Sequence, residues 1–234
     1  MVDRATPRMH PPLAWPYVLL LALLLVLVFL AVQLGAVVLA SEKLGLGPQL
    51  TLGFLLASIV GSTINIPIAQ IPSHGPLEPA GVVRHLGVGY QIPQQRLPGT
   101  TLLAVNVGGA VVPSLLAIYL LVHDNLGSGT FLAVAAVVLY VHIAARPVQG
   151  IGIVVPGIFP PLVAAGAAIL LGGPHVAAVA YVAGVAGCLI GADLMNLGRL
   201  PGVGAPVASI GGAGTFDGIF LTGLMSVLIA SFFT

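Results

Sequence analysis

Residues 175–197 read HVAAVAYVAGVAGCLIGADLMNL, and the nature of that stretch decides the fold. It is continuous enough to cross a bilayer as a helix, it is built mainly of Ala, Gly and Val, and it carries one acid, Asp193. About twenty apolar residues rising 1.5 Å each cover the ~30 Å hydrocarbon layer. A carboxylate inside such a run is costly, so it marks a functional site. One other acid, Asp217, shares that setting. Asp3, Glu42, Glu78 and Asp124 fall in the N-terminal tail or in loops.

Working outward, the same kind of stretch recurs. Spans are expected at about 14–40, 49–68, 101–122, 130–145, 150–171, 175–197 and 207–233. The 234 residues are 58% hydrophobic and 6% charged, with mean hydropathy +1.13. Long continuous apolar runs exclude a porin-like barrel, whose strands alternate. The class expected is all-α: a polytopic helical membrane protein of about seven transmembrane helices, with a tail at 1–13 and one transmembrane domain over 14–234. The first span is too long for a signal-peptide core and is expected to stay as a membrane helix. A net charge of +1 offers no basic face to nucleic acid. Cys188 lies mid-span and reads as a small packing residue.

Charge sets the expected orientation. With the N-terminus inside, Arg4, Arg8, Arg84, Arg96, Arg146 and Arg199 are cytoplasmic and Lys43 alone is outside, as the positive-inside rule requires. The C-terminus then lies outside, in the cell membrane of a prokaryote (the inner membrane if Gram-negative). The longest loop, 69–100, holds Leu86, Val88, Tyr90 and Ile92 in a period-two pattern. It reads either as a short β-hairpin at the membrane surface between helices 2 and 3 or as an interfacial loop without a special role. A weak echo also links Gly61–Ile66 with Ala192–Leu197, and Asn106–Ala110 with Ser209–Ala213, as two parallel repeats or as chance similarity.

This orientation gathers the polar residues on one side. Asn65, Asn106 with Gly108 and Gly109, Arg146, Gln149, Asp193, Asn196 and Asp217 all fall in the cytoplasmic part of the bilayer. The backbone is expected to break there as well. Three prolines, Pro156 among them, and three glycines crowd 150–161, and Gly211, Gly212, Gly214 and Gly218 surround Asp217. Irregular backbone at membrane depth is tolerated where it is buried in protein or lines a wet cavity. A polar cavity open to the cytoplasm follows. Asn65 and Asn106 then either bond freed carbonyls or serve that cavity, Asn196 either orients Asp193 or caps the helix end, and Arg146 anchors the topology.

Asp193 and Asp217 sit on antiparallel neighbouring spans at similar depth. Two carboxylates sharing a low-dielectric site cannot both ionise cheaply, so one keeps a proton. The ionised member can take a proton from water while its partner donates to a carbonyl oxygen, which is the acid–base pair of aspartic proteolysis. No Ser and His pair for nucleophilic catalysis, and the histidines at 10, 74, 85, 123, 142 and 175 show no ligand spacing, so neither a metal nor another cofactor is expected.

Two resemblances attach to these strings. Gly191–Leu197 and Gly211–Gly223, with Asn106–Ala110 and the proline-rich start of span five, resemble an uncharacterised family of prokaryotic integral membrane proteins, which supplies no activity. More distantly, Gly214-Thr215-Phe216-Asp217 is similar to the Gly-x-Gly-Asp motif of presenilin, signal peptide peptidase and the type IV prepilin peptidases. Phe216 stands where that motif has its second glycine. The second resemblance implies an intramembrane aspartyl protease with Asp193 and Asp217 catalytic. Asn65, Asn106, Gly108, Gly109, Gln149, Pro156, Asn196, Gly214 and Gly218 would support them or contact a transmembrane peptide substrate amid membrane lipids. Two other functions stay open: a proton- or sodium-coupled transporter or channel using the same residues as its ion site, and a non-catalytic membrane subunit.

Overall fold

The computed structural model describes residues 14–73, 82–85, 88–91, 99–148, 152–212 and 218–233. Among them seven α-helices overlap the seven expected spans, one to each: α1 Ala14–Lys43, α2 Pro48–Gly61, α3 Val112–His123, α4 Ser128–Ala144, α5 Phe159–Leu171, α6 Val176–Cys188 and α7 Gly218–Ser231. Proline sets several starts. Pro48, Pro113 and Pro160 occupy first-turn positions, where the missing N–H costs nothing.

The all-α expectation needs correction, because strands interrupt it. They are β1 Asn65–Pro72, β2 Val82–His85, β3 Val88–Gln91, β4 Thr100–Asn106, β5 Arg146–Val148, β6 Gly152–Val154 and β7 Val207–Ile210. Segments 65–68, 101–106, 152–154 and 207–210, read as helix ends, are extended. β1 runs antiparallel to β4 and β7 runs parallel to it, in the order β1-β4-β7. Of the two readings of the 69–100 loop, the hairpin has a counterpart in the antiparallel pair β2 and β3, while Leu86 and Ile92 lie outside the described residues. The proline- and glycine-rich start of span five forms a second small pair, β5 with β6, and α5 begins only at Phe159.

α6 is the centre of the bundle, buried on almost every face and packed against α3, α4, α5 and α7. Its small residues allow this. Gly184 faces Ser226 and Thr222 of α7, and Ser226 Oγ donates to Ala180 O at 2.8 Å. The outward positions reverse the pattern of a water-soluble protein. Leu21, Leu52, Leu115, Phe131, Leu132, Ile143, Leu162 and Leu170 are exposed, while the interior is mostly Ala, Val, Ser and Thr. Small residues inside and large apolar ones outside suit a solvent of lipid tails. An apolar surface running over every outer helix far exceeds the patches that water tolerates.

Two helical runs, Pro16–Lys43 and Gly173–Gly202, are long and apolar enough to cross a membrane; α2, α4, α5, α7 and the run Val107–His123 are shorter. Among its described side chains α1 is exposed along most of its length and joins the core near its end, through Val37, Ala40 and Ser41, with Leu44 following just after the helix.

Candidate functional site

Among the described residues a short 3-10 turn, Gly173–His175, joins α5 to α6, and π turns occur at two places, both at the end of the bundle where the three-stranded sheet lies. After Cys188, α6 widens into a π turn over Leu189–Asp193, then tightens into a 3-10 helix over Leu194–Gly202. π turns are rare and concentrate where function demands an altered register. Here Gly191 permits the turn to lie against α4, since a Cβ at that position would stand 2.7 Å from Val138 O and 3.1 Å from Val141 Cβ. A change of helix type frees carbonyls, and Asn196 takes them up: its Nδ2 donates to Gly191 O at 2.8 Å and Ala192 O at 2.9 Å. Asn196 is completely buried. Of the two roles open for it, the observed bonds are those of a cap on the turn that ends in Asp193.

Asp193 is half-buried, and its Oδ2 is sealed from solvent. It lines a pocket of about 60 Å³ together with Leu197, Leu103 of β4, Gly152 and Ile153 of β6, and Ser209 and Ile210 of β7. That room admits a few water molecules.

The second departure is a π turn over Val107–Val111 that leads into α3, with Asn106 as its cap. Asn106 is completely buried and fully committed. Its Oδ1 accepts from Gly109 N at 2.7 Å, and its Nδ2 donates to Ser62 O at 2.8 Å and to Asn65 Oδ1 at 3.1 Å. Asn65 Oδ1 also accepts from Ser209 Oγ at 2.7 Å. Ser209 therefore joins the two regions, lining the Asp193 pocket and holding Asn65. The glycines here are set by close approach. A Cβ on Gly108 would collide with Ser58 O and Ser62 N, and one on Gly109 with Gly211 O. Gly211 itself has φ of +80°, a conformation that glycine adopts at no steric cost.

β7 is an edge strand. Leu102 N donates to Pro206 O at 3.0 Å, so the alternate residues Ala208 and Ile210 address β4. The amides of Val207 and Ser209 point to the opposite edge, where no strand pairs among the described residues.

The expected site residues divide as follows. Asp193, Asn65, Asn106, Gly108, Gly109 and Asn196 meet at one end of the bundle. Pro156 is exposed in the loop between β6 and α5, outside the pocket, and Gly218 is the exposed first residue of α7. Gln149, Gly214 and Asp217 lie outside the described residues. Ser209, which was not singled out, is a member; its only signal was its place in the Ser209–Ala213 echo. The echo is matched only in part: β4 and β7 are parallel neighbours, but Gly61–Ile66 leads into strand β1 whereas Ala192–Leu197 is π and 3-10 helix. Among the described residues no three His, Cys, Asp or Glu gather in one place.

A family model described as a protein of unknown function, DUF1614, matches residues 59–229. The chain belongs to that family. The DUF1614 region runs from the last turn of α2 into α7, so it contains both π turns, the three-stranded sheet and the Asp193 pocket, and omits α1. No curated protein and no solved structure matches the chain.

Proposed function

We propose that the chain is a multi-pass membrane protein that hydrolyses peptide bonds at the cytoplasmic side of its bundle, with Asp193 and Asp217 as an acid–base pair. The observation that carries this reading is the register of α6 against α7. Cys188 Sγ meets Thr222 Oγ1 at 3.4 Å. Cys188 precedes Asp193 by five residues, and Thr222 follows Asp217 by five. α7 runs antiparallel to α6 and begins one residue after Asp217, and Asp193 ends the π turn that continues α6, which supports assigning both acids to the same end of that helix pair.

The chemistry needs no other group. The ionised carboxylate takes a proton from a water molecule as the water oxygen bonds to the carbonyl carbon. The protonated carboxyl donates to the carbonyl oxygen. Collapse of the tetrahedral intermediate breaks the C–N bond, and a proton passes to the departing amine. The pocket beside Asp193 gives room for that water, and the open edge of β7 offers amides to an extended backbone. Asn106 spends both amide groups inside the protein, which argues against its use as an ion ligand.

The test is to replace Asp193 by Asn and, separately, Asp217 by Asn in cells, then compare all membrane-derived peptides with wild type. Asn keeps hydrogen bonding and removes titration. The reading expects each change to abolish the same cleavage products. Unchanged products in both variants would overturn it.

A further inference from the structure

We propose that α1 pairs inside the bilayer with α1 of a second copy of this chain, through reciprocal hydrogen bonds between the two Gln33 side chains. The proposal rests on α1 crossing a membrane and is independent of the hydrolytic reading. α1 is 30 residues long, and its most apolar stretch lies wholly outside the core. Between Tyr17 and Ser41 every residue is apolar except Gln33. Tyr17 near one end and Lys43 at the other are of the types that settle at membrane interfaces. The helix rises about 39 Å between them, and Gln33 stands about 5 Å from the midpoint.

No water reaches that depth. Gln33 is exposed, and its amide makes no hydrogen bond among the described residues. A carboxamide left unsatisfied in hydrocarbon is costly. Helical spacing puts Ala22, Val26, Leu30, Gln33, Val37 and Ala40 on one stripe. Val37 and Ala40 join the core, whereas Ala22, Val26, Leu30 and Gln33 continue the stripe uncovered.

Chemistry selects the occupant. Lipid tails cover Val26 and Leu30 as well as a helix would, but they offer Gln33 nothing. Its partner must bring a donor and an acceptor to one particular depth, and a second copy does so. Copies of one chain insert in one orientation, so a two-fold axis along the membrane normal sets each residue against its own equivalent. A carboxamide is its own complement: each Nε2 donates to the other Oε1. Polar side chains hold membrane helices together in this way. No described side chain of residues 17–34 belongs to the core, so a change at Gln33 leaves the fold of the bundle alone.

The test uses the full chain in proteoliposomes, with Cys188→Ala removing the native thiol and single cysteines placed along α1. Oxidation should link copies through Ala22→Cys and Val26→Cys, which lie on the Gln33 stripe. Leu24→Cys and Ala31→Cys, on the opposite face, should stay unlinked. In the Val26→Cys chain Gln33→Leu should lower the linked fraction about tenfold, whereas Gln33→Asn, which keeps the amide, should retain most of it. Equal linking on every face, indifference to Gln33→Leu, or no linked pairs at all overturns the proposal. In cells, a linked partner other than this chain overturns it too and gives the stripe to a foreign helix. Chains that alkaline carbonate strips from the vesicles overturn the membrane-spanning reading itself, whereas loss of cleavage with linking intact touches only the hydrolase.

Discussion

Replacing Asn196 by Ala tests how the turn beneath Asp193 is held. The variant removes the bonds to Gly191 O and Ala192 O, at 2.8 and 2.9 Å, from a completely buried position. A neutral hydrogen bond contributes roughly 0.5–1.5 kcal/mol net, and side-chain bonds between membrane helices average about 0.6 kcal/mol. Two such bonds give an expected loss of about 1–3 kcal/mol, a factor of roughly 5 to 150 in the unfolding equilibrium. Asn196→Asp should cost more, because a carboxylate would aim oxygens at two carbonyl oxygens. Reversible unfolding in mixed micelles, followed by far-ultraviolet circular dichroism, reads the difference. The effect reaches the site too. If the π turn reverts to α geometry, one residue is absorbed and Asp193 swings about 100° around the helix axis. Cleavage should therefore fall more steeply than stability. A loss under about 0.5 kcal/mol in the Ala variant, or an Asp variant at least as stable as wild type, would refute the reasoning.

The remaining predictions use the same unfolding assay. Asn106→Ala should cost about 2–4 kcal/mol, since it leaves Ser62 O and Gly109 N without their partner, whereas the exposed Asn65→Ala should cost under about 1 kcal/mol. Gly191→Ala should cost about 1–3 kcal/mol by pushing the π turn off Val138 and Val141. Gly166→Ala, where an added Cβ meets nothing within 4 Å, should be neutral or raise stability by up to about 1 kcal/mol through helix propensity. Removing residues 14–35 should change the stability of the remaining bundle by less than about 1 kcal/mol, because α1 enters the core only from Val37 onward.

The helices were legible because their signal is a long apolar run bounded by Gly and Pro, and each of the seven overlaps one expected span, with ends that differ where strands or π turns take over. The hairpin was legible only as one of two readings of the 69–100 loop: the period-two pattern that includes Val88 and Tyr90 is compatible with a strand or with an interfacial loop, and the β2–β3 pairing favours the strand. β4 and β7 were not legible. Thr101–Val105 and Val207–Ile210 carry apolar side chains on both faces of the strand, so they have no alternation and merge with the helices that follow. Their pairing is a long-range property, set by Leu102 meeting Val207. Within the site, Asp193 and Asn196 stood out because polar groups in apolar sequence are rare. Ser209 did not, since small hydroxyls are common inside helix bundles and usually bond within their own helix. Its role depends on Asn65, which reaches it only after β1 folds back along β4.

The central claim, that Asp193 and Asp217 share one site, is tested most directly by cross-linking. Cysteines replace both acids in a Cys188→Ala background and are treated with a short thiol-bridging reagent. Wild-type Cys188 paired with Thr222→Cys serves as the positive control, since those side chains already touch. The account predicts rapid bridging of the 193–217 pair at a rate comparable to the control. Bridging of the control alone, with the 193–217 pair left unlinked, would contradict it.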